Sequence, residues 1–260
     1  MASAVGASER PVGAPERPVG APERAVGAPE GPVGSPEEPV AAPKKSVGRF
    51  DLVIFDCDGV LVDTEPTANR VLIAMLARLG IAMSEAECMR TFVGRSAAAA
   101  VAIIEERLGR AVPPGFHDEW HALLFAEFRR GVAPIPGVVA ALDAIAIPSC
   151  VASSGGHDRM HLTLGSSGLH GRFAGRIFSA SDVARGKPFP DVFLHAARAM
   201  GAAPGRTAVV EDSAAGVAAG IAAGMTVFAY TGGEHSDARE LAAAGAMTFA
   251  QMCDLPGLVA

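Results

Sequence analysis

The sequence predicts an α/β fold, a parallel sheet covered by helices, with a helical cap domain inserted after the first strand. Three observations carry this reading. After residue 50, short apolar strands alternate with stretches of helical periodicity. About a hundred mostly helical residues separate the first strand from the second, where a βα crossover needs a single helix. Acidic residues also collect where the strands end, as in "FDCDGVLVDTE" at 55–65.

The elements follow in chain order. Residues 1–43 hold a seven-residue repeat (ERPVGAP, ERPVGAP, ERAVGAP, EGPVGSP, EEPVAAP). Proline in every unit forbids a coiled coil, and one valine per unit builds no core. The composition fits an extended, polyproline-leaning tail over 1–48, inert or solubilising, with a docking segment as the alternative. The strands are "DLVIF" (51–55), "SCVAS" (149–153), "GRIFSA" (175–180), "TAVVE" (207–211) and "MTVFAY" (225–230). Helical periodicity runs over 67–79, 98–109, 117–130, 157–167, 190–201 and 213–223. This divides the folded part into a Rossmann-like core, 49–66 and 134–260, and a helical cap, 67–133, with the "APIPG" turn at Gly137 marking the return. Gly216, Gly220 and Gly224, spaced four apart, read as a small-residue helix packed closely on the sheet and ended at Gly224.

Composition excludes several classes. A formal charge of −6 speaks against nonspecific binding to nucleic acid or an anionic membrane. No apolar run approaches the roughly 18 residues of a membrane span, and the N-terminus lacks the order of a signal peptide. Four scattered cysteines without ligand spacing read as reduced thiols, so the expected setting is cytoplasmic. A monomer is compatible with all of this.

In open parallel sheets, ligands collect at the carboxyl ends of the strands. Those ends bring together Asp56 and Asp58 after the first strand, Ser153 and Ser154 at the second, and Glu211 and Asp212 at the fourth. Lys187 follows the third strand in "ARGKPFPD". It is one of three lysines against nineteen arginines, and the other two lie at 44 and 45. Singly, each motif has a plain reading: a DxD in a surface turn, a turn before a helix, an N-cap at Asp212 or Ser213. Jointly they describe a site. Four carboxylates and one lysine leave excess negative charge, which a hard divalent cation held by oxygens, Mg²⁺, would balance. An aspartate there can attack phosphorus, and a second can move protons.

These residues resemble a known family. "DCDGVLVD", the serine ending the second strand, "GKPFPD" and "VVEDSAAG" resemble the four motifs of the haloacid dehalogenase superfamily, over about residues 50–232. The helical insert resembles the capped subgroup that includes sugar-phosphate phosphatases and β-phosphoglucomutase. The resemblance implies Asp56 as nucleophile and metal ligand, and Asp58 as general acid/base lending its carbonyl to Mg²⁺. It implies Ser153 on the phosphoryl group, Lys187 bridging that group and the nucleophile, and Glu211 and Asp212 completing the metal site. Asp58, Glu211 and Asp212 together argue against a dehalogenase. The absence of lysine between residues 50 and 186 excludes phosphonoacetaldehyde hydrolase chemistry. β-Phosphoglucomutase remains the alternative, although its sugar-steering histidine and arginine fall here at Ala68 and Ala97. The expected activity is hydrolysis of a small phosphorylated sugar, sugar alcohol or sugar acid. Arg95, in "FVGRS", is the expected partner of an acidic substrate group, with Ser154 and Glu65 as further substrate contacts. A catalytically silent scaffold using the tail is the remote alternative. His157 and His161 share a helical face, and Trp120 and His121 sit on a cap helix; packing or solvation accounts for each.

Overall fold

Leu52–Phe55 form β1, four residues buried on both faces, as the middle strand of a doubly covered parallel sheet requires. Val53 and Phe55 point into one hydrophobic cluster and Leu52 and Ile54 into another, so the period-2 alternation feeds two cores. In the computed structural model, residues 48–92, 97–233 and 236–260 are described.

After β1 the chain makes a tight loop at Gly59, which adopts a left-handed φ of 76° while its N–H donates to the Val62 carbonyl. A two-residue strand, β2 (Val62–Asp63), follows and pairs antiparallel with β3 (Ala133–Pro134). Between these short strands lie four helices: α1 (Glu65–Arg78), α2 (Glu85–Phe92), α3 (Ala97–Leu108) and α4 (Phe116–Arg130). Arg78 at the end of α1 pairs with Glu119 near the start of α4, which sets the two antiparallel. The β2–β3 ribbon is absent from the sequence reading, because two residues carry no periodicity. It fastens both ends of the inserted helices to one another.

Gly137, in a left-handed conformation, opens α5 (Val138–Ala144), and the sheet resumes with β4 (Ser149–Ser153). Then come α6 (His157–Ser166), α7 (His170–Phe173), β5 (Ile177–Ser179), α8 (Asp191–Ala199) and β6 (Thr207–Glu211). The last elements are α9 (Ala214–Ala222), β7 (Thr226–Tyr230), α10 (Ala238–Ala243), β8 (Met247–Phe249) and α11 (Leu255–Val259). The sheet order is β5-β4-β1-β6-β7-β8, every neighbouring pair parallel. β1 is followed in the chain by strands on one side and later by β6 on the other. The crevice at the carboxyl ends of β1 and β6 is therefore the topological switch point. Edge strand β8 also escapes the sequence reading: two of its three residues are exposed and leave no apolar signature.

The small-residue helix behaves as expected. Ser213 caps α9 by accepting the Gly216 N–H, and Gly224 follows the helix at φ 73°. A Cβ on Gly220 would stand 2.6 Å from Val227 Cγ2, so the missing side chain is what lets α9 approach β7. Gly220→Ala is expected to cost about 1–2 kcal/mol in urea denaturation despite the better helix propensity of alanine. Gly165→Ala in α6, where a Cβ meets nothing within 4 Å, serves as the control and should be neutral or slightly stabilising.

Candidate active site

The loops leaving β1, β4 and β6 converge at the switch point. Asp56, directly after β1, is 8% exposed, and its N–H is tied to the Val210 carbonyl of β6. Lys187 approaches from the segment after β5. Its Nζ donates to Asp56 Oδ1 (2.7 Å), Glu211 Oε1 (2.5 Å) and the Ala152 carbonyl (3.2 Å), and its side chain is only 4% exposed. Burial pushes the Asp56 carboxyl up to about 7, against the pull of the Lys187 ammonium, with Glu211 and Asp58 adding repulsion. Burial also acts to lower Lys187, but Asp56 and Glu211 outweigh it and hold the ammonium firmly protonated.

Glu211, the last residue of β6, is wholly buried. One carboxylate oxygen takes Lys187, while the other accepts from the Asp212 and Ser213 N–H groups and the Ser213 hydroxyl. Its carboxylate occupies the space that a Cβ on Gly216 would fill. The glycine of "EDSAAG" is thus a requirement of the acidic site as well as of helix packing. Asp56, Glu211 and Asp212 each bring a carboxylate oxygen to within 4.8 Å of the others, and all three are buried.

Asp58 is held on two sides. Thr64, buried where α1 begins, donates its hydroxyl to Oδ1 at 2.9 Å, and Arg159 Nη2 meets Oδ2 at 3.0 Å. Ser153 is buried at the end of β4, and its Oγ accepts the Gly155 N–H at 3.2 Å. A Cβ on Gly155 would lie 3.6 Å from Ser153 Oγ, 3.6 Å from Arg159 Cδ and 3.9 Å from Asp58 Oδ2. That position marks the meeting point of the three side chains.

Of the residues singled out in the sequence, Asp56, Asp58, Ser153, Lys187, Glu211 and Asp212 come together here. Glu65, first residue of α1, lies close enough to act on the Arg159 charge. Ser154 is exposed beside the site. Arg95 and the repeat tail lie outside the described residues. His157 pairs with Asp182 at 2.8 Å, Trp120 packs near Phe116, and His121 stacks on Phe125, in keeping with packing roles. Thr64 and Arg159 were missed. Arg159 did carry a signal, since a cation in the first turn of a helix opposes the helix dipole and asks for a local anion.

Arginine also changes the charge count. Asp56, Asp58, Glu211 and Asp212, with Glu65 near Arg159, outnumber Lys187 and Arg159, so an excess of negative charge remains that a divalent cation would reduce. An all-oxygen donor set of buried carboxylates fits Mg²⁺ in kind.

The geometry has relatives. A family model for haloacid dehalogenase-like hydrolases matches residues 50–224. The chain belongs to the haloacid dehalogenase-like hydrolases. It is 31% identical to 6-phosphogluconate phosphatase of Escherichia coli (strain K12), over 82% of this chain and 96% of that protein. It is 32% identical to hexitol phosphatase A of the same organism, over 68% of this chain and 81% of that one. A haloacid dehalogenase-like protein of unknown function from Agrobacterium tumefaciens str. C58 superposes with a TM-score of 0.75 at 38% identity, covering 81% of this chain and 97% of its own. As a member of this family the chain is an enzyme, a hydrolase.

Because the Glu211 carboxylate fills the hollow above Gly216, Gly216→Ala should destabilise the protein by about 2 kcal/mol or more. In a Glu211→Ala background the same change should cost well under that. A double-mutant cycle from chemical denaturation reads the difference, and additive costs would contradict this packing.

Proposed function

We propose that this protein is a Mg²⁺-dependent phosphatase acting on a small phosphorylated sugar, sugar alcohol or sugar acid through an aspartyl-phosphate on Asp56. The observation that carries the reading is the split arrangement of the two aspartates. Asp56 lies in the buried cation-binding group with Lys187 on one oxygen, whereas Asp58 is held apart by Thr64 and Arg159. Two carboxylates in such different surroundings suit different tasks. Phosphatase-named relatives among sugar-acid and hexitol phosphatases support the substrate class.

In this reading Asp56 attacks phosphorus in line with the ester oxygen. The P–O ester bond breaks, and Asp58 delivers a proton to the departing oxygen. Asp58 then takes a proton from water as the water oxygen attacks phosphorus. The bond to Asp56 breaks and inorganic phosphate leaves. Lys187 and Ser153 hold the equatorial oxygens. Asp56, Glu211 and Asp212 would hold Mg²⁺ with the Asp58 carbonyl, and the ion when bound would neutralise phosphoryl charge. Glu211 is engaged by Lys187, Ser213 and two N–H groups, which suits it to orienting the lysine and loop as much as to ligating. The core of the reading is 49–66 with 134–260. Residues 67–133 form the cap that covers the leaving group and excludes water. Three buried free thiols, Cys57, Cys88 and Cys150, support a reducing cytoplasmic setting. Among the described residues, no helix is long and apolar enough to cross a membrane.

Ala68, where a mutase would keep a sugar-steering histidine, packs against the apolar interior, which favours hydrolysis over phosphosugar transfer. The test is a panel of phosphorylated sugars, polyols and sugar acids with Mg²⁺ or chelator. It follows free phosphate, and also glucose 6-phosphate formed from β-glucose 1-phosphate. Phosphate release that stops with chelator is expected. Asp56→Asn should lower it about 10⁴-fold or more, and Asp58→Asn about 10²- to 10⁴-fold. Glucose 6-phosphate without phosphate release would identify a mutase instead. Removing residues 1–48 should leave turnover intact, which a tail-based scaffold has no reason to show.

A further inference from the structure

We propose that Arg159 selects the leaving group, recognising a carboxylate carried by the substrate at the end remote from its phosphate. This rests on the phosphatase reading and goes beyond it by assigning a residue and a substrate class, the phosphorylated sugar acids.

The position of Arg159 has no explanation in its own helix. It is the third residue of α6, where the dipole disfavours a cation. Its stem passes Gly155, one guanidinium nitrogen meets Asp58 Oδ2 at 3.0 Å, and the guanidinium carbon lies 5.3 Å from the centre of the Phe128 ring on cap helix α4. The arginine therefore joins the acid/base residue of the core to an aromatic of the inserted helices. Its Nε–H is buried and has no hydrogen-bond partner, so the arginine is not held in place by that nitrogen. The side chain as a whole is 29% exposed, so it forms part of an accessible wall.

The reaction then decides what that wall faces. Asp58 must reach the ester oxygen, so everything beyond that oxygen lies on the Asp58 side. Lys187 is enclosed and engaged by Asp56 and Glu211. Among the described residues, Arg159 is a partly exposed cation on the side of the remainder of the substrate, and the two cations divide the molecule between them. A guanidinium is a planar, permanently charged donor that pairs well with carboxylates. It also offsets the charge of Asp58, which an acidic leaving group would otherwise meet unscreened. Thr64 already holds the other oxygen of Asp58, so holding Asp58 does not by itself account for an arginine at this position.

A matched pair of substrates tests this. Gluconate 6-phosphate and glucitol 6-phosphate differ in bearing a carboxylate or a hydroxymethyl group at carbon 1. The full chain with Mg²⁺ should favour the acid. Arg159→Met should lower kcat on both substrates by releasing Asp58, and should in addition raise KM for the acid alone, so that kcat/KM falls about 100-fold further for the acid than for the alcohol. Residual turnover of the alcohol shows that the variant is folded, and Arg159→Lys should fall between the two. Equal losses on both substrates, carried by kcat, would overturn the proposal and leave Arg159 as a positioning residue for Asp58. A wild type without preference for the acid would overturn it too. If the wild type releases phosphate from neither compound nor from any other member of the panel, the phosphatase reading fails and this inference fails with it.

Discussion

Asp56 sits at the end of a strand with no exposed residue, in a position where little water reaches its charge. Much of the architecture follows from that single constraint. A buried carboxylate is tolerated only with a partner, and Lys187 comes from 131 residues away to provide one. The lysine in turn requires Glu211, and Glu211 requires the two N–H groups of the β6–α9 loop, the Ser213 hydroxyl and the hollow above Gly216. Asp56 follows β1, Lys187 comes from the segment after β5, and Glu211 with its partners lies at the end of β6. The parallel sheet is what brings those ends to one edge.

The same network explains why the arrangement is charged rather than apolar. Replacing a buried ion pair with hydrophobic residues often stabilises a fold, so stability alone does not account for Asp56, Glu211, Asp212 and Lys187 together. The burial that pushes the Asp56 carboxyl up to about 7 makes the anion costly and therefore receptive to a cation. The cluster of Asp56, Glu211 and Asp212 could hold a metal ion, and its protein groups are already oriented by their own hydrogen bonds.

Legibility in the sequence followed signal strength. Strands β1, β4 and β6 were readable to within a residue, because continuous apolar runs bounded by turn residues have few other interpretations. The motif residues were readable because strand ends at a switch point have a known direction. Strands β2, β3 and β8 were not, being two or three residues long and mostly stabilised by neighbours distant in sequence. Thr64 and Arg159 were hidden for a related reason. Thr64 reads as an ordinary residue at a helix start and Arg159 as a surface charge on a helix. Only the folded backbone sets both against Asp58. The Gly216 hollow was misread as packing alone, since spacing shows that a glycine is small and not what occupies the space it leaves.

The contrast between the two aspartates shows where specificity can arise in such a fold. Everything around Asp56 comes from the sheet edge and the loops that extend it, so it can vary little without losing the buried network. Asp58 is held by Thr64 at the entry to the inserted helices and by Arg159 on α6, and Arg159 in turn lies over Phe128 of α4. In the proposed reading, the Asp56 side of the site is constrained by its buried charge network, whereas the Asp58 side depends on single contacts from Thr64 and Arg159. In the proposed reading, Arg159 beside Asp58 sets a fixed positive charge on the side of the leaving group, where an acidic substrate gains and a neutral one does not.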